Sequence, residues 1–396
     1  TPQSENIKGD KFVGDYYILF DKIHNEQKSE LLKSGIDKNK AEESTQIMQD
    51  AKNELMNWEK NDEETLKIWN MMNQWVYEGF ESTYKLLGVS FDKNYYESQT
   101  YLLGKDIIKK GLNKNVFYTK EDSSIWINLD EEGLDEKLLL RSDGTSVYMT
   151  QDLGTAVQRI SDNENVKGMI YTVGNEQDYH FNVLFKILKR LGYDWASYLS
   201  HLSYGMVDLP SGKMKSREGT VVDADDLIYE LIDNVKETTE NLDKFKSKNE
   251  ALDYEDYKSI ALGALKYYIL KVDPKKNILF NPEESIDLNG NTGPFIQYAY
   301  VRIQSIIKKY NNEISVDSRY SLNDKEKEVL KIIYDLPVVI KNSYKELSPA
   351  LIANYLYDLV KKNCSDKLES IEGACENNSL LLAIFICLLS LFFSLL

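Results

Sequence analysis

The chain has 396 residues and a hydrophobic fraction of 42%, enough for two or three domains with real cores. Its 48 basic and 64 acidic side chains leave a net charge of −16, which argues against a non-specific nucleic-acid binder, because such proteins carry a broad basic surface. Three cysteines late in the chain, with no CxxC spacing and no histidine nearby, form neither a zinc site nor a disulfide framework and point to a reducing cytoplasm. With three histidines in all, a transition-metal centre is also disfavoured.

The chain opens Thr1-Pro2-Gln3, without methionine or export signal, and reads as a fragment. Residues 21–62 are rich in Lys, Glu, Asn and Gln, with Leu31, Leu32, Ile47, Met48, Leu55 and Trp58 at helical intervals, so solvated helices covering another layer are expected. Leu66 to Leu87 is a clearer amphipathic helix. Ile68, Met71, Met72, Trp75, Val76, Phe80, Thr83 and Leu87 recur at three- and four-residue spacing, the stripe is expected in a core, and Gly88 ends the helix. Val116 to Tyr118 and Ile125 to Leu129 suggest a hairpin.

The segment Lys137 to Ile228 is where chemistry concentrates. Leu138 to Leu140 form an apolar run of buried-strand type, Asp143-Gly144 a turn, and the next stretch a helix on which Tyr148 and Asp152 share one face. Met169 to Val173 reads as a strand, residues 174–177 as a turn, and Asp178 as the cap of a helix with Phe181, Leu184, Phe185, Leu188 and Leu191 on its apolar face. Leu202 to Val207 is strand-like and leads into a loop carrying Lys213, Lys215 and Arg217 between glycines, a cationic loop suited to polyphosphate. Taken alone, such a loop is more often a solvated turn. Acidic residues at 223, 225 and 226 start another helix.

Beyond a charge-dense stretch at 237–257, a helical region interleaves Lys266, Lys271, Lys275, Lys276, Arg302, Lys308 and Lys309 with Tyr267, Tyr268, Tyr298 and Tyr300. Such a face can pair phosphates and stack bases, although solvated helix faces over tyrosine cores give the same pattern. Ser379 to Leu396 is eighteen residues without a charge, just long enough to cross a bilayer core, so either a membrane anchor or an altered 3′ reading frame is expected there.

Several of these motifs carry a family resemblance. DGTSVYMTQD resembles the amino-acid pocket helix of the arginyl-tRNA synthetases, YTVGNEQDYHF their next strand and turn, and GKMKSREGTVV their form of the KMSKS loop. ALKYYIL, FNPEESIDLNGNTGPFIQYAYVRIQSI and LSPALIANYLYDLV resemble their helical anticodon-binding domain. The resemblance covers roughly residues 1–363 in order. No HIGH sequence occurs, although in this family it precedes a stretch like GDKFVGDYYILF, so the half of the nucleotide fold that carries it is expected to be missing.

The resemblance implies an α/β fold, the second half of a class I (Rossmann-like) parallel sheet, followed by an all-α anticodon-binding bundle. Residues 1–95 would be the remainder of the first catalytic half with a helical connection, 96–244 the second half with the loop, 245–378 the anticodon-binding domain, and 379–396 the apolar tail. The function implied is ATP-dependent ligation of arginine to tRNA(Arg), with this chain an inactive fragment. Mg2+ would be carried by ATP, the protein would be monomeric and cytoplasmic, and any membrane association would run through the tail.

In the implied arginine pocket, Asp152 meets the guanidinium fork, with Tyr148 and Gln177 as further acceptors. From spacing alone, Asp152 is equally well a surface residue and Tyr148 core packing. The ribose is expected near Gly174 and Glu176, the adenine against backbone near Met206 and Val207, and the phosphates under Lys213, Lys215, Ser216 and Arg217. Ser216 replaces the second lysine of KMSKS, so Lys215 or a lysine outside the sequence must compensate. The alternatives are a synthetase for another amino acid or a related adenylating ligase, and a non-catalytic tRNA-binding or membrane-tethered remnant.

Overall fold

A parallel strand pair needs a crossover, and an amphipathic helix between two short apolar strands supplies one here. The computed structural model describes residues 1–100, 103–163, 165–210, 223–241, 252–309 and 324–364. In chain order the main elements are α1 (Gly9–Lys33), α2 (Gln46–Glu59), α3 (Glu63–Leu87), α4 (Gly104–Asn113), β1 (Tyr118–Thr119), β2 (Ile125–Ile127), β3 (Lys137–Leu140) and α5 (Tyr148–Asp162). There follow β4 (Met169–Gly174), α6 (Asp178–Arg190), β5 (Leu199–Tyr204), β6 (Val207–Asp208), α7 (Ala224–Asn241), α8 (Tyr254–Leu270), β7 (Ile278–Leu279), α9 (Gly293–Lys309), α10 (Asp324–Glu346) and α11 (Ala350–Cys364). They divide into two compact units, Thr1–Phe91 with Leu209–Leu262, and Asp92–Asp208 with Gly263–Leu396.

In the first unit, α3 begins where Asp62 accepts the Thr65 N–H at 2.9 Å and ends at Gly88, whose φ of 69° suits a residue without Cβ. Phe12 of α1 packs edge-on against Trp75 of α3, with ring centroids 5.6 Å apart. The apolar stripe of α3 is wider than the cover it receives: Trp75 and Val76 are half-buried, but Ile68, Met71 and Phe80 are exposed, so the stripe is not wholly core. The start of α7 is clasped by charge. Lys8 donates to Asp225 and to Asp10, Thr83 donates to Asp225 at 2.9 Å, and Lys11 pairs with Asp223 at 2.9 Å. Burial pulls the Lys8 ammonium down, but the hydrogen bonds and charge of Asp225 and Asp10 outweigh it and hold the group above the usual lysine range.

The second unit contains the expected hairpin, β1 against β2, and β3 adds to it as a third antiparallel strand. Leu138 to Leu140 are thus a strand, but outside the parallel pair, because Gly144 (φ 79°) turns the chain back so that Ser146 bridges Leu140. β4 and β5 pair in parallel from Met169↔Leu199 to Gly174↔Tyr204. α6 connects them and buries Phe181, Leu184, Ile187 and Leu188 in a core shared with Ile108, Leu139 and Leu153. Asp178 is not the cap of α6. The turn Asn175–Gln177 is itself a tight 3₁₀ helix running straight into α6, so no extended capping residue exists, and the Asp178 carboxylate instead meets Nδ1 of His201 on β5 at 3.1 Å.

The C-terminal helices α9, α10 and α11 close a second core with Ile296, Ile303, Leu356 and Leu359, into which Tyr267 of α8 is inserted fully buried. Tyr267 donates to Asn291 at 2.5 Å and sits in the core because its hydroxyl is satisfied there, which removes it from the expected basic and aromatic surface. Burial lowers the Lys266 and Lys271 ammonium groups, and Lys271 donates to the Asn291 carbonyl at 2.8 Å. Tyr298, by contrast, is exposed.

α4 and α5 cross at two glycines. A Cβ on Gly154 would lie 2.5 Å from the Gly104 nitrogen and 2.7 Å from Leu103 Cβ, and one on Gly104 would collide with the Thr150 carbonyl. Helix propensity favours Gly→Ala by about 1 kcal/mol. Overpacking against backbone reverses the sign, so Gly154→Ala is expected to destabilise by about 1–3 kcal/mol in chemical denaturation. A raised midpoint would refute the close crossing.

Candidate active site

The parallel strands β4 and β5 end side by side at Gly174 and Tyr204, and the chain leaves them through polar turns. Loops at the carboxyl ends of such strands are the usual ligand site of α/β sheets. A Cβ on Gly174 would lie 3.1 Å from Met206 Cε and 3.7 Å from Tyr204 Cε2, so the structure does bring Gly174 and Met206 together. Glu176 and Gln177 follow on the exposed 3₁₀ turn.

Beyond β5 the backbone is threaded through the 274–280 segment. Gly205 N–H donates to the Pro274 carbonyl at 2.7 Å, and a Cβ on Gly205 would strike the Lys276 carbonyl carbon and oxygen. Met206 N–H donates to Asn277 Oδ1 at 2.9 Å, while its carbonyl accepts from Ile278 N–H at 2.9 Å. Val207 pairs with Ile278 in the parallel β6–β7 bridge. The Met206 N–H is therefore spoken for, and what this residue still offers a ligand is its half-exposed side chain and the second lone pair of its carbonyl.

Tyr148 and Asp152 stand on the first two turns of α5. Tyr148 is 75% exposed, which excludes core packing. Asp152 Oδ2 lies 2.6 Å from Nε2 of His180, in the first turn of α6 and three residues after Gln177. Asp152 is thus tied to the element that Gln177 introduces. Behind them, Tyr171 of β4 lies under the Arg159 guanidinium, 5.6 Å from its ring; burial raises its phenol and the nearby Arg159 charge lowers it, with the net shift upward. His201 bridges the two strands and the helix, with Nε2 at 2.9 Å from the Val173 carbonyl and Nδ1 on Asp178.

Sequence pattern gives His180, His201 and Asn277 no part in a site. Their only signal was chemical type, since each acts on a partner 23 to 71 residues away. Lys213, Lys215, Ser216 and Arg217 lie outside the described residues. Among the described residues no group of three or more His, Cys, Asp or Glu side chains gathers as a metal site.

The profile described as tRNA synthetases class I (R), catalytic domain, matches residues 20–281, well over half of the chain. The chain belongs to the class I arginyl-tRNA synthetase family. A DALR anticodon binding domain profile matches residues 296–365, which gives the helical bundle α9 to α11 its place in the same family. The arginine–tRNA ligase of Flavobacterium psychrophilum is 56% identical over 96% of this chain and 63% of its own length. That of Bacteroides thetaiotaomicron is 51% identical over 91% of this chain and 61% of its own length. The chain therefore spans a little over three fifths of the length of these curated relatives. The crystal structure of arginyl-tRNA synthetase from Plasmodium falciparum matches with a TM-score of 0.75 at 22% identity, covering 95% of this chain and 66% of that one. At that identity the likeness speaks for the fold: a class I α/β catalytic portion followed by an all-α anticodon-binding domain, as the family resemblance implied.

The Gly174–Met206 approach is directly testable. Gly174→Ala forces the Met206 methyl to move, and because a thioether chain is adaptable the cost should stay below about 1.5 kcal/mol. In methyl-labelled NMR spectra the Met206 resonance should shift while that of Met149, buried in the core, stays in place. An unmoved Met206 methyl would show that the two residues do not meet.

Proposed function

We propose that this chain carries the arginine-recognising half of an arginine–tRNA ligase, which activates arginine with ATP and transfers it to tRNA(Arg). The observation that supports it best is a carboxylate, Asp152, held by hydrogen bond beside the turn that carries Gln177, in a chain of this family. A guanidinium is a planar fork of donors with no acceptor, and a carboxylate can meet it with two parallel charge-assisted bonds. Tyr148 adds a hydroxyl or an aromatic face one turn earlier, and Gln177 an amide oxygen.

The arginine carboxylate attacks the α-phosphate of ATP, pyrophosphate leaves, and the arginyl group then passes from the adenylate to the terminal ribose of the tRNA. No covalent enzyme intermediate is required, so the protein's work is orientation and stabilisation of charge on the phosphates. We assign that charge to Lys213, Lys215 and Arg217 of the glycine-bracketed loop, with Lys215 compensating for Ser216. ATP would place its ribose by Gly174 and Glu176 and its adenine by Met206 and Val207, and Mg2+ would enter with the nucleotide. The DALR region and its exposed Tyr298 would meet the anticodon arm.

The proposal extends to a domain layout of 1–95, 96–244 and 245–378 and to a monomeric state. No helix among the described residues is long and apolar enough to cross a membrane, and the apolar stretch 379–396 lies outside them.

The test is Asp152→Asn in a complete enzyme that includes the HIGH half. Asparagine still accepts from His180 but replaces an ionic partner with a neutral one that turns donors toward donors. Arginine binding should weaken by at least about 2 kcal/mol while ATP binding barely changes. Arginine affinity within a few fold of the parent would remove Asp152 from the pocket and, with it, the argument for arginine.

A further inference from the structure

Asp152 does not set its own direction. Its side chain is 46% exposed, and an aspartate on a helix surface has several rotamers open to it. The bond to His180 removes that freedom. An ionised carboxylate only accepts, so in the 2.6 Å contact Nε2 of His180 carries the proton and donates it to Oδ2. His180 is itself well held. Its side chain is only 23% exposed, its ring stands edge-on to Phe181 at 5.7 Å and 90°, and Phe181 is a buried core residue. The turn that carries His180 is pinned in turn by the Asp178–His201 contact at 3.1 Å.

We propose that His180 is a positioning residue for amino-acid recognition: it fixes the plane of the Asp152 carboxylate so that the free oxygen and the remaining lone pairs receive the guanidinium. The inference rests on the reading of Asp152 as the guanidinium partner. Two parallel hydrogen bonds to a planar fork demand a carboxylate in a defined plane, whereas an ammonium accepts many approaches. Ordering that carboxylate during folding spares arginine the cost of ordering it on binding. Each carboxylate oxygen can accept two bonds, so the bond to His180 does not use up Oδ2.

The experiment is a double-mutant cycle in the complete enzyme, read as the KM for arginine against kcat and the KM for ATP. His180→Ala should raise the arginine KM by about tenfold and leave kcat and the ATP KM within about twofold. His180→Gln, which keeps a donor, should recover most of the loss. In an Asp152→Asn background, where there is no longer a carboxylate to orient, His180→Ala should add less than about twofold. An unchanged arginine KM in His180→Ala, beside a raised one in Asp152→Asn, overturns the proposal and leaves the pocket reading intact. Additive effects, a fall in kcat, or an equal rise in the ATP KM also overturn it, because a merely structural role would do that. If Asp152→Asn itself changes nothing, the pocket reading fails first.

Discussion

The start of α6 is the point on which the rest of the second unit depends. Its first residue, Asp178, is held to β5 by His201, whose other ring nitrogen faces the Val173 carbonyl of β4. Two residues on, His180 reaches across to Asp152 of α5. One helical turn is thereby linked to both parallel strands and to the carboxylate proposed to meet the substrate. Histidine suits the task because each ring carries two separate nitrogens that can meet partners on different elements.

Packing around that turn adds to these contacts. α6 buries Phe181, Leu184, Ile187 and Leu188 against α5, β3 and α4, and α5 approaches α4 closely enough that only glycines fit at 104 and 154. Groups that must meet a ligand to within fractions of an ångström are best mounted on elements whose own positions are overdetermined in this way. The Gly205 to Asp208 stretch is fixed by different means, through backbone bonds to the 274–280 segment. Gly174 and Met206 thus meet although they belong to separately anchored pieces of chain.

Much of this was legible in the residues, and the reason is locality. Strand β4, helices α3, α5, α6 and α7, and the β1–β2 hairpin all announce themselves by periodicity and turn residues within a dozen positions of each other. That Asp152 and Gln177 stand on adjoining elements was implied by the resemblance of DGTSVYMTQD and YTVGNEQDYHF to the family's motifs, and not by periodicity. What stayed hidden is long-range. Asp178 reads as a helix cap until His201, 23 positions later in sequence, is seen to hold it. Tyr267 reads equally as a surface aromatic or as core packing until Asn291 and Ala353 are seen to satisfy its hydroxyl inside a core. Likewise the apolar run 138–140 could not tell which neighbour it would pair with, and it joined the antiparallel sheet.

The proposal that this site serves the activation of arginine can be tested by ATP–pyrophosphate exchange across a panel of amino acids, run with tRNA(Arg) present. With a full-length enzyme that includes a HIGH-bearing half, exchange is expected with arginine and not with lysine, glutamine or methionine. No exchange is expected from the 396-residue chain by itself, in which no HIGH sequence occurs. Exchange supported by another amino acid in preference to arginine, or arginine-dependent exchange by this chain alone, would contradict it.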